Sequence, residues 1–332
     1  MKGFLAGSLQ RLLGASLITS SCSYLLNNPA IVLMYHDLRE DGDYESWLKV
    51  SRTAFTQQLE ALSRFCDFIE PNDVMGASAS RSSRLRVLLT FDDGFVNNKT
   101  IALPILEKFG APALFFISTE NMETGSPFWF DLVITPIQHL RLASLDLCPV
   151  GLKRYDFPQD EGPRRWSVIQ SLLTDIKTMG NGSCDRVNDI LRFFQESYGS
   201  SIENSHPRIR PLTRDEIKAM KQSGFCHFGS HSHRHDILTY LDEHDVRDNL
   251  LKSKRLLEEV TGEPIVHISY PNGDTTAAIE TMSRECGYEW GYGTQPGAVT
   301  GHTAAMRIPR VAVSGYDSLC SLGWNINRVL MR

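Results

Sequence analysis

Residues 90–94 read Thr-Phe-Asp-Asp-Gly and follow an apolar run at residues 85–89. Such a run predicts a buried strand, so the carboxylates of Asp92 and Asp93 stand where that strand ends. Adjacent acids repel each other, and their pKa values separate unless a cation lies between them. One acid can then bind a metal ion while the other acts as a base. Taken alone, the motif is more typical of an acidic turn with no chemical role.

A second polar motif follows another apolar run. Residues 229–235 read Gly-Ser-His-Ser-His-Arg-His, directly after the run at residues 224–228. Imidazole is a common ligand for zinc-like metals, and two imidazoles with one carboxylate leave a coordination position open. His231 and His235 are four residues apart and can converge on one ion, whereas His233 between them is expected to point elsewhere. Together the acidic and histidine motifs favour a metal-dependent catalytic site.

These motifs resemble those of the polysaccharide deacetylases, the NodB-homology group called carbohydrate esterase family 4. Residues 90–94 match the first family motif in full, and His231, Ser232 and His235 match the second, H-[ST]-x-x-H. The resemblance extends over most of residues 31–313. It includes further segments in the family's order, at residues 32–36, 127–131, 269–274 and 307–310. The pattern is most similar to the branch that deacetylates poly-N-acetylglucosamine, in which the motifs are circularly permuted.

The resemblance implies a role for each matched residue. Asp92 would be the general base that takes a proton from the attacking water. Asp93, His231 and His235 would bind one divalent ion, by default Zn²⁺, although other divalent ions fit the same ligands. Ser232 would brace the histidine loop by a hydrogen bond.

The third family motif departs from its usual form. Where the family has an arginine that steadies the base, this chain has Ser269. We expect Arg307, or alternatively Arg310, to replace it. The backbone N–H of Asn272 is expected to help hold the oxyanion, and the neighbouring Tyr270 to contact the substrate.

The residue that protonates the departing amine is less easily assigned, because the family's C-terminal L-x-H motif is missing. His302 is the only histidine after the third motif, and its surroundings predict a flexible loop. His36 ends the first apolar run, at residues 31–35, and the permuted branch takes its acid from such an N-terminal Tyr-His pair. We therefore predict that His36 is the general acid. A buried histidine bonded to backbone is the alternative.

Short apolar runs alternate with apolar residues at helical spacing, which predicts β-α-β units and a parallel sheet. Motifs at successive strand ends favour a barrel with its site at the C-terminal mouth. The resemblance makes this α/β fold an irregular (β/α)7 barrel. We divide the chain into an N-terminal segment (1–30), the barrel (31–313) and a C-terminal tail (314–332). Within the barrel, residues 119–204 are predicted to be a mostly helical insertion.

Aromatic residues open this insertion, at Phe128, Trp129 and Phe130. Aromatic faces stack well on sugar rings, but a hydrophobic cluster that anchors the insertion is the simpler interpretation. Asp131 follows them and is expected to cap the next helix rather than touch substrate.

Composition limits the remaining classes. The 332 residues are 42% hydrophobic and carry a net charge of −5, with no basic stripe that would indicate a nucleic-acid partner. Seven cysteines occur singly, which weakly favours a reducing compartment. No apolar stretch approaches the about 18 residues of a membrane span. The N-terminal segment begins like a signal peptide, but its apolar core at residues 12–18 is short and interrupted. An amphipathic helix that packs on the domain or lies at a membrane surface is an equally good interpretation. We expect a cytoplasmic or inner-membrane-associated protein, with secretion left open and no prediction of oligomeric state.

The sequence thus predicts a metal-dependent hydrolase that removes acetyl groups from N-acetylated sugars of a polysaccharide or glycolipid. Two alternatives stay open at this point. The missing arginine and histidine motifs favour a sugar-binding barrel that has lost turnover, and the same barrel could hydrolyse a non-sugar amide.

Overall fold

The computed structural model describes residues 29–76, 84–160, 162–179 and 184–331. The first 28 residues lie outside these ranges, and so does the helix or signal sequence considered for them. None of the helices within the described ranges is both long and apolar enough to cross a membrane.

The strands of the described chain are β1 (Ala30–Tyr35), β2 (Asp37–Arg39), β3 (Lys49–Ser51), β4 (Cys66–Phe68), β5 (Leu85–Phe91), β6 (Ala113–Ile117), β7 (Ser144–Asp146), β8 (Arg154–Asp156), β9 (Cys226–Ser230), β10 (His267–Ser269), β11 (Trp290–Tyr292) and β12 (Val311–Ala312). The α-helices are α1 (Arg52–Ser63), α2 (Leu103–Phe109), α3 (Thr119–Thr124), α4 (Trp129–His139), α5 (Pro163–Met179), α6 (Cys184–Ile209), α7 (Arg214–Lys221), α8 (Glu243–Thr261), α9 (Ala277–Glu285) and α10 (Leu319–Leu330). A π-helical turn at Asn98–Ala102 precedes α2, and short 3-10 turns lie at Pro71–Asp73, Cys148–Val150, Leu238–Tyr240 and Pro271–Gly273.

The main sheet is parallel and runs in the order β11-β10-β9-β6-β5-β1-β12. β4 pairs with residues 85–87 of β5, whereas β6 pairs with residues 89–91. The chain ahead of β12 forms a parallel bridge from Ile308 to Tyr292 of β11, and β12 itself pairs with β1. The ring of seven strands is therefore completed through a single bridge, which confirms the predicted irregular (β/α)7 barrel.

The buried strands form because their runs of apolar and β-branched residues can be covered on both faces. Every residue of β1 and of β5 is buried. Phe91 of β5 stacks between Tyr35 and Phe115, with ring centroids 5.3 and 4.9 Å away. Because β1 lies beside β5 in the ring, the first strand of the chain ends next to the acidic motif.

The covering helices begin and end where the sequence indicates. Gly110 ends α2 in the left-handed conformation, with φ of 59°, which costs glycine little. Thr213 and Glu216 form the predicted capping box at the start of α7, which leads towards the histidine strand.

The insertion is mostly helical, as predicted, and has a hydrophobic core of its own. Its helices are α4, α5 and α6, with the antiparallel hairpin β7–β8 between the first two. Arg165 is buried at its centre and donates to the side chain of Gln138 and to the carbonyls of Ile137, Leu142 and Pro158. These bonds tie α5 to α4 and to the hairpin, so the insertion is a firmly built unit.

The C-terminal tail packs onto the barrel as helix α10. Leu322, Ile326 and Val329 recur at helical spacing and belong to the main hydrophobic core.

Candidate active site

The carboxyl ends of the barrel strands surround one cavity of about 710 Å³. Residues at the ends of β1, β5, β9, β10, β11 and β12 line it, together with residues of the insertion. Since parallel strands point their carboxyl ends to the same edge, motifs distant in sequence meet here.

The three predicted metal ligands converge in this cavity. Asp93 Oδ1 lies 3.4 Å from His231 Nε2 and 3.2 Å from His235 Nε2. Two ligand atoms bound tetrahedrally to one zinc-like ion, each about 2.0–2.1 Å from it, would be about 3.4 Å apart. The three side chains therefore fit a divalent ion in both chemistry and spacing.

Neighbouring groups orient both imidazoles. The Nδ1–H of His231 donates to the carbonyl of Ser269 over 2.8 Å, which leaves its Nε2 lone pair facing Asp93. The hydroxyl of Ser232 accepts the backbone N–H of His235 over 3.0 Å and holds the loop closed. His233 contacts Thr119 Oγ1 instead and turns away from the other two histidines.

Unusual backbone conformations concentrate at this site. Among the described residues, five that are not glycine have a positive φ, and four of them are Asp93, Ser232, His235 and Asn272. Such conformations are uncommon outside glycine and cluster at functional sites. Gly94, with φ of 79°, follows Asp93 where an added Cβ would come within 2.7 Å of Ile117.

Asp93 is held as a carboxylate. Burial by itself would raise its pKa, but the hydrogen bonds that His231 and His235 donate when their imidazoles are protonated outweigh burial and hold the pKa well below its usual value. A buried anion between two imidazoles is the charge distribution expected around a bound cation.

Asp92 has a different partner, the guanidinium of Arg310. Arg310 Nη1 and Nη2 donate to Asp92 Oδ1 and Oδ2 over 2.7 and 2.8 Å, in a bidentate pair buried on both sides. Ser269 joins the pair, since its hydroxyl donates to Asp92 and accepts from Arg310 Nη2. Burial raises the pKa of Asp92. The charges of Arg310 and of His231 lower it by more, so the net shift is downward.

Of the two arginines considered for steadying Asp92, the structure selects Arg310. Arg307 is exposed and forms an ion pair with Glu280, away from the cavity. The expectation that Arg307 takes this position is therefore wrong. Arg310 also donates from Nε to the carbonyl of Gly293, which fixes its orientation beneath the cavity.

His36 lines the same cavity as Asp92 and Asp93, whereas His302 lies on an exposed turn outside it. Asn98 donates to the carbonyl of His36 over 2.9 Å, so the turn after the acidic motif positions the end of β1. Burial lowers the pKa of His36 more than the nearby carboxylates of Asp93 and Asp92 raise it. Among the described residues, its buried Nδ1 has no hydrogen-bond partner.

Two residues were predicted to contact the oxyanion or the substrate, and they lie in different places. Asn272 lines the cavity. Tyr270 lies in the main hydrophobic core, and its hydroxyl donates to Ser283 rather than facing the cavity. Tyr270 points away from Ser269, its neighbour at the end of β10, whose hydroxyl contacts Asp92. The turn that follows, in which Asn272 has a φ of 60°, brings Asn272 back to the cavity.

The aromatic residues at the start of the insertion lie in two different environments. Phe128 is buried, packing against Phe95 and, edge to face, against the ring of His235. Trp129 and Phe130 line the cavity. Asp131 is buried in the first turn of α4, where a backbone hydrogen bond from Phe128 reaches its carboxylate.

Sequence reasoning missed the contribution of α5 to the cavity. One face of this helix lines it through Trp166, Gln170, Leu173, Thr174 and Lys177. Their helical spacing is visible in the sequence, but spacing alone does not show which structure a helix face covers.

Comparisons with known proteins agree with this geometry. A family model described as polysaccharide deacetylase matches residues 80–179 and 189–291, more than half of the chain. The curated "Putative polysaccharide deacetylase YxkH" of Bacillus subtilis strain 168 is 29% identical over 116 residues, which are 35% of this chain and 40% of that protein. The alignment thus spans less than half of the curated relative's length.

Two solved structures share the fold. The deacetylase PplD of Streptococcus pyogenes, in complex with acetate, has a TM-score of 0.60 at 17% identity and covers 91% of this chain and 98% of its own. IcaB from Ammonifex degensii has a TM-score of 0.57 at 17% identity and covers 92% of this chain and 98% of its own.

Proposed function

We propose that this chain, which belongs to the polysaccharide deacetylase family, is a metal-dependent hydrolase that removes acetyl groups from N-acetylated sugars. Family membership supports an enzyme that removes acetyl groups from a glycan. The observation that carries the proposal further is the convergence of Asp93, His231 and His235 beside the buried base Asp92.

A divalent ion held by these three ligands would polarise the acetyl carbonyl and the attacking water. The ligand set of two imidazoles and one carboxylate makes Zn²⁺ the default. The neighbouring structure of PplD was solved with acetate, the small product of deacetylation, which agrees with this chemistry.

Asp92 is proposed as the general base. Its carboxylate is held by Arg310 in one orientation, so it can accept a proton from water without moving. The retained bidentate pair also removes the main reason to favour an inactive, sugar-binding barrel, because the arginine missing from the third motif is supplied from the end of the barrel.

His36 is proposed as the group that protonates the departing amine. It reaches the cavity from β1, beside Asp92 and Asp93. A sugar amine is a poor leaving group until it is protonated, so an acid at this place is needed for amide cleavage. The backbone N–H of Asn272 is proposed to help hold the oxyanion, since Asn272 stands at the end of β10 on the same cavity.

The test is acetate release by the purified chain with its bound metal quantified. Protein stripped with a chelator should release no acetate from N-acetylglucosamine oligomers and should recover on addition of Zn²⁺. Acetamide and acetylated amino acids serve as non-sugar amides. Faster release from these than from the oligomers would overturn the sugar substrate, and full activity after complete metal removal would overturn the metal dependence.

A further inference from the structure

A buried ion pair follows His36 directly in the chain and does not line the cavity. Asp37 Oδ2 lies 3.2 Å from Lys49 Nζ, and the Lys49 side chain is 8% exposed while that of Asp37 is fully buried. Neither residue takes part in the proposed reaction. A buried ion pair seldom adds stability over apolar residues of the same size, and its best-attested use is to fix one arrangement of the chain.

The carboxylate of Asp37 fixes the chain immediately after His36. Its Oδ1 accepts the backbone N–H of Leu38 over 2.8 Å and Asn97 Nδ2 over 3.0 Å. The neighbouring Asn98 donates to the carbonyl of His36. The turn after the acidic motif therefore holds His36 both by its own carbonyl and through the residue that follows it.

Lys49 joins this arrangement to β3. Asp37 and Lys49 are opposite each other in the parallel pair β2–β3, and the backbone N–H of Asp37 donates to the carbonyl of Leu48 over 3.1 Å. Trp47, one residue before Leu48, has its ring centroid 5.7 Å from that of His36. The ion pair thus ties the strand that follows His36 to the segment that packs against the imidazole.

Lys49 is held as a cation by more than one group. Burial lowers its pKa, but Tyr44, Asp37 and Asp131 raise the pKa by more. The Nζ of Lys49 lies 5.1 Å from the centroid of the Tyr44 ring. Asp131 belongs to α4, so the insertion contributes to the surroundings of this cation. Lys49 therefore keeps an acidic neighbour when Asp37 is replaced.

A general acid must stand within hydrogen-bond reach of the atom that it protonates, and a misplacement of about 1 Å can cost a large factor in rate. His36 lies between β1 and β2 and belongs to neither strand. We propose that the Asp37–Lys49 pair positions the imidazole of His36 to protonate the departing amine. Asp37 is then a positioning residue, which acts through His36 and does not itself touch the substrate. The inference rests on the proposed deacetylase function with His36 as its acid.

The experiment compares two substrates that differ in their need for an acid. Acetate release is measured from an N-acetylglucosamine oligomer and from an acetyl aryl ester, with metal content checked in each sample. Asp37→Asn keeps the shape of the side chain and removes its charge. It should slow amide cleavage about tenfold, the cost of a modest misplacement, and slow ester cleavage much less. Glu258→Gln is the control, because it removes an ion pair with Lys254 on α8, outside the cavity, and should change neither rate.

A double variant shows whether Asp37 acts through His36. In protein that already carries His36→Ala, Asp37→Asn should cause little further loss on the amide, because the group that it positions is gone. The same loss again in that background, or equal losses on the amide and the ester, would overturn the inference. If the unaltered chain releases no acetate from the oligomer, the proposed function itself fails.

A milder variant covers the case in which Asp37→Asn does not fold. Asn97→Ala removes one donor to Asp37 and leaves the ion pair in place. It should slow amide cleavage about threefold, the effect of one lost hydrogen bond to a charged group, and again spare the ester. Unchanged amide cleavage in folded Asp37→Asn, or in Asn97→Ala where the first variant does not fold, would contradict the assignment of Asp37.

Discussion

Asp92 and Asp93 are adjacent and equally buried, but they have different partners on the two sides of the cavity floor. Asp92 faces the guanidinium of Arg310, which donates to both of its oxygens. Asp93 faces two imidazoles, each about a ligand–ligand distance away. One acid has a permanent cation as partner, and the other has partners that are neutral ligands unless protonated.

This difference teaches how one dipeptide can serve two tasks. A carboxylate already neutralised by Arg310 gains little from a second cation, so it remains free to exchange a proton with water. A carboxylate that shares its space with two oriented imidazoles completes a cation site. Neighbouring charges, rather than residue type, distinguish the proposed base from the proposed ligand.

The largest expected effect comes from the Asp93 side. Asp93→Ala or His235→Ala should remove the bound metal and lower acetate release by about a thousandfold or more, since metal polarisation contributes several kcal/mol. Metal content by mass spectrometry and acetate release are measured on the same sample. His244→Ala is the control, because His244 lies with Asp242 and Asp245 in an exposed group of the same residue types. Full metal stoichiometry in either variant would remove that residue from the ligand set.

The next effect tests the Asp92 side. Asp92→Asn keeps the shape of the side chain and removes the base, so turnover should fall by about 10²–10⁴-fold while the metal is retained. Single-turnover acetate release with metal quantification checks this. Metal loss equal to that of Asp93→Ala would mean that the two acids do not divide their tasks.

A smaller effect is expected at His36, the other polar group at the Asp92 side of the mouth. His36→Ala should slow amide cleavage about a hundredfold but slow an acetyl aryl ester much less, because a phenolate leaves without protonation. His302→Ala should change neither rate, since His302 is exposed outside the cavity. Equal losses on the amide and the ester would show that His36 is not the acid.

The last prediction concerns stability rather than rate, and it separates the two arginines. Arg307→Ala removes an ion pair with an exposed guanidinium and should change the free energy of unfolding by less than about 1 kcal/mol. Arg310→Gln leaves Asp92 buried without its partner and should cost about 3–5 kcal/mol. Urea denaturation of the two variants provides the comparison. Similar costs for both would mean that the buried pair does not anchor the Asp92 side.

Much of the barrel and of the candidate metal site could be predicted from the sequence, because both depend on local pattern. Apolar runs become strands that can be buried on both faces, and the polar residue after each run stands at the mouth of the barrel. That is why Asp93, His231 and His235 could be named together, and why the helix start at Thr213 could be assigned from its capping box.

The remaining contacts depended on tertiary structure. Arg307 and Arg310 are three residues apart on an extended segment, where side chains alternate between faces, so only one of them can point under the mouth. The sequence by itself could not say which, because both are cations and a buried arginine is stable only where its partners happen to lie. The same alternation directs Tyr270 into the core.

The lining of the cavity by the insertion was also beyond prediction from the sequence. The sequence predicts that Leu173 and Lys177 lie on one face of a helix. Which structure that face covers depends on how the insertion docks on the barrel. That docking depends on contacts such as Lys177 with Asn272, 95 residues apart, which no local pattern encodes. The motifs in the sequence therefore determined which reaction is proposed for this site, and only the tertiary structure decided which side chains hold the proposed base and which line the cavity.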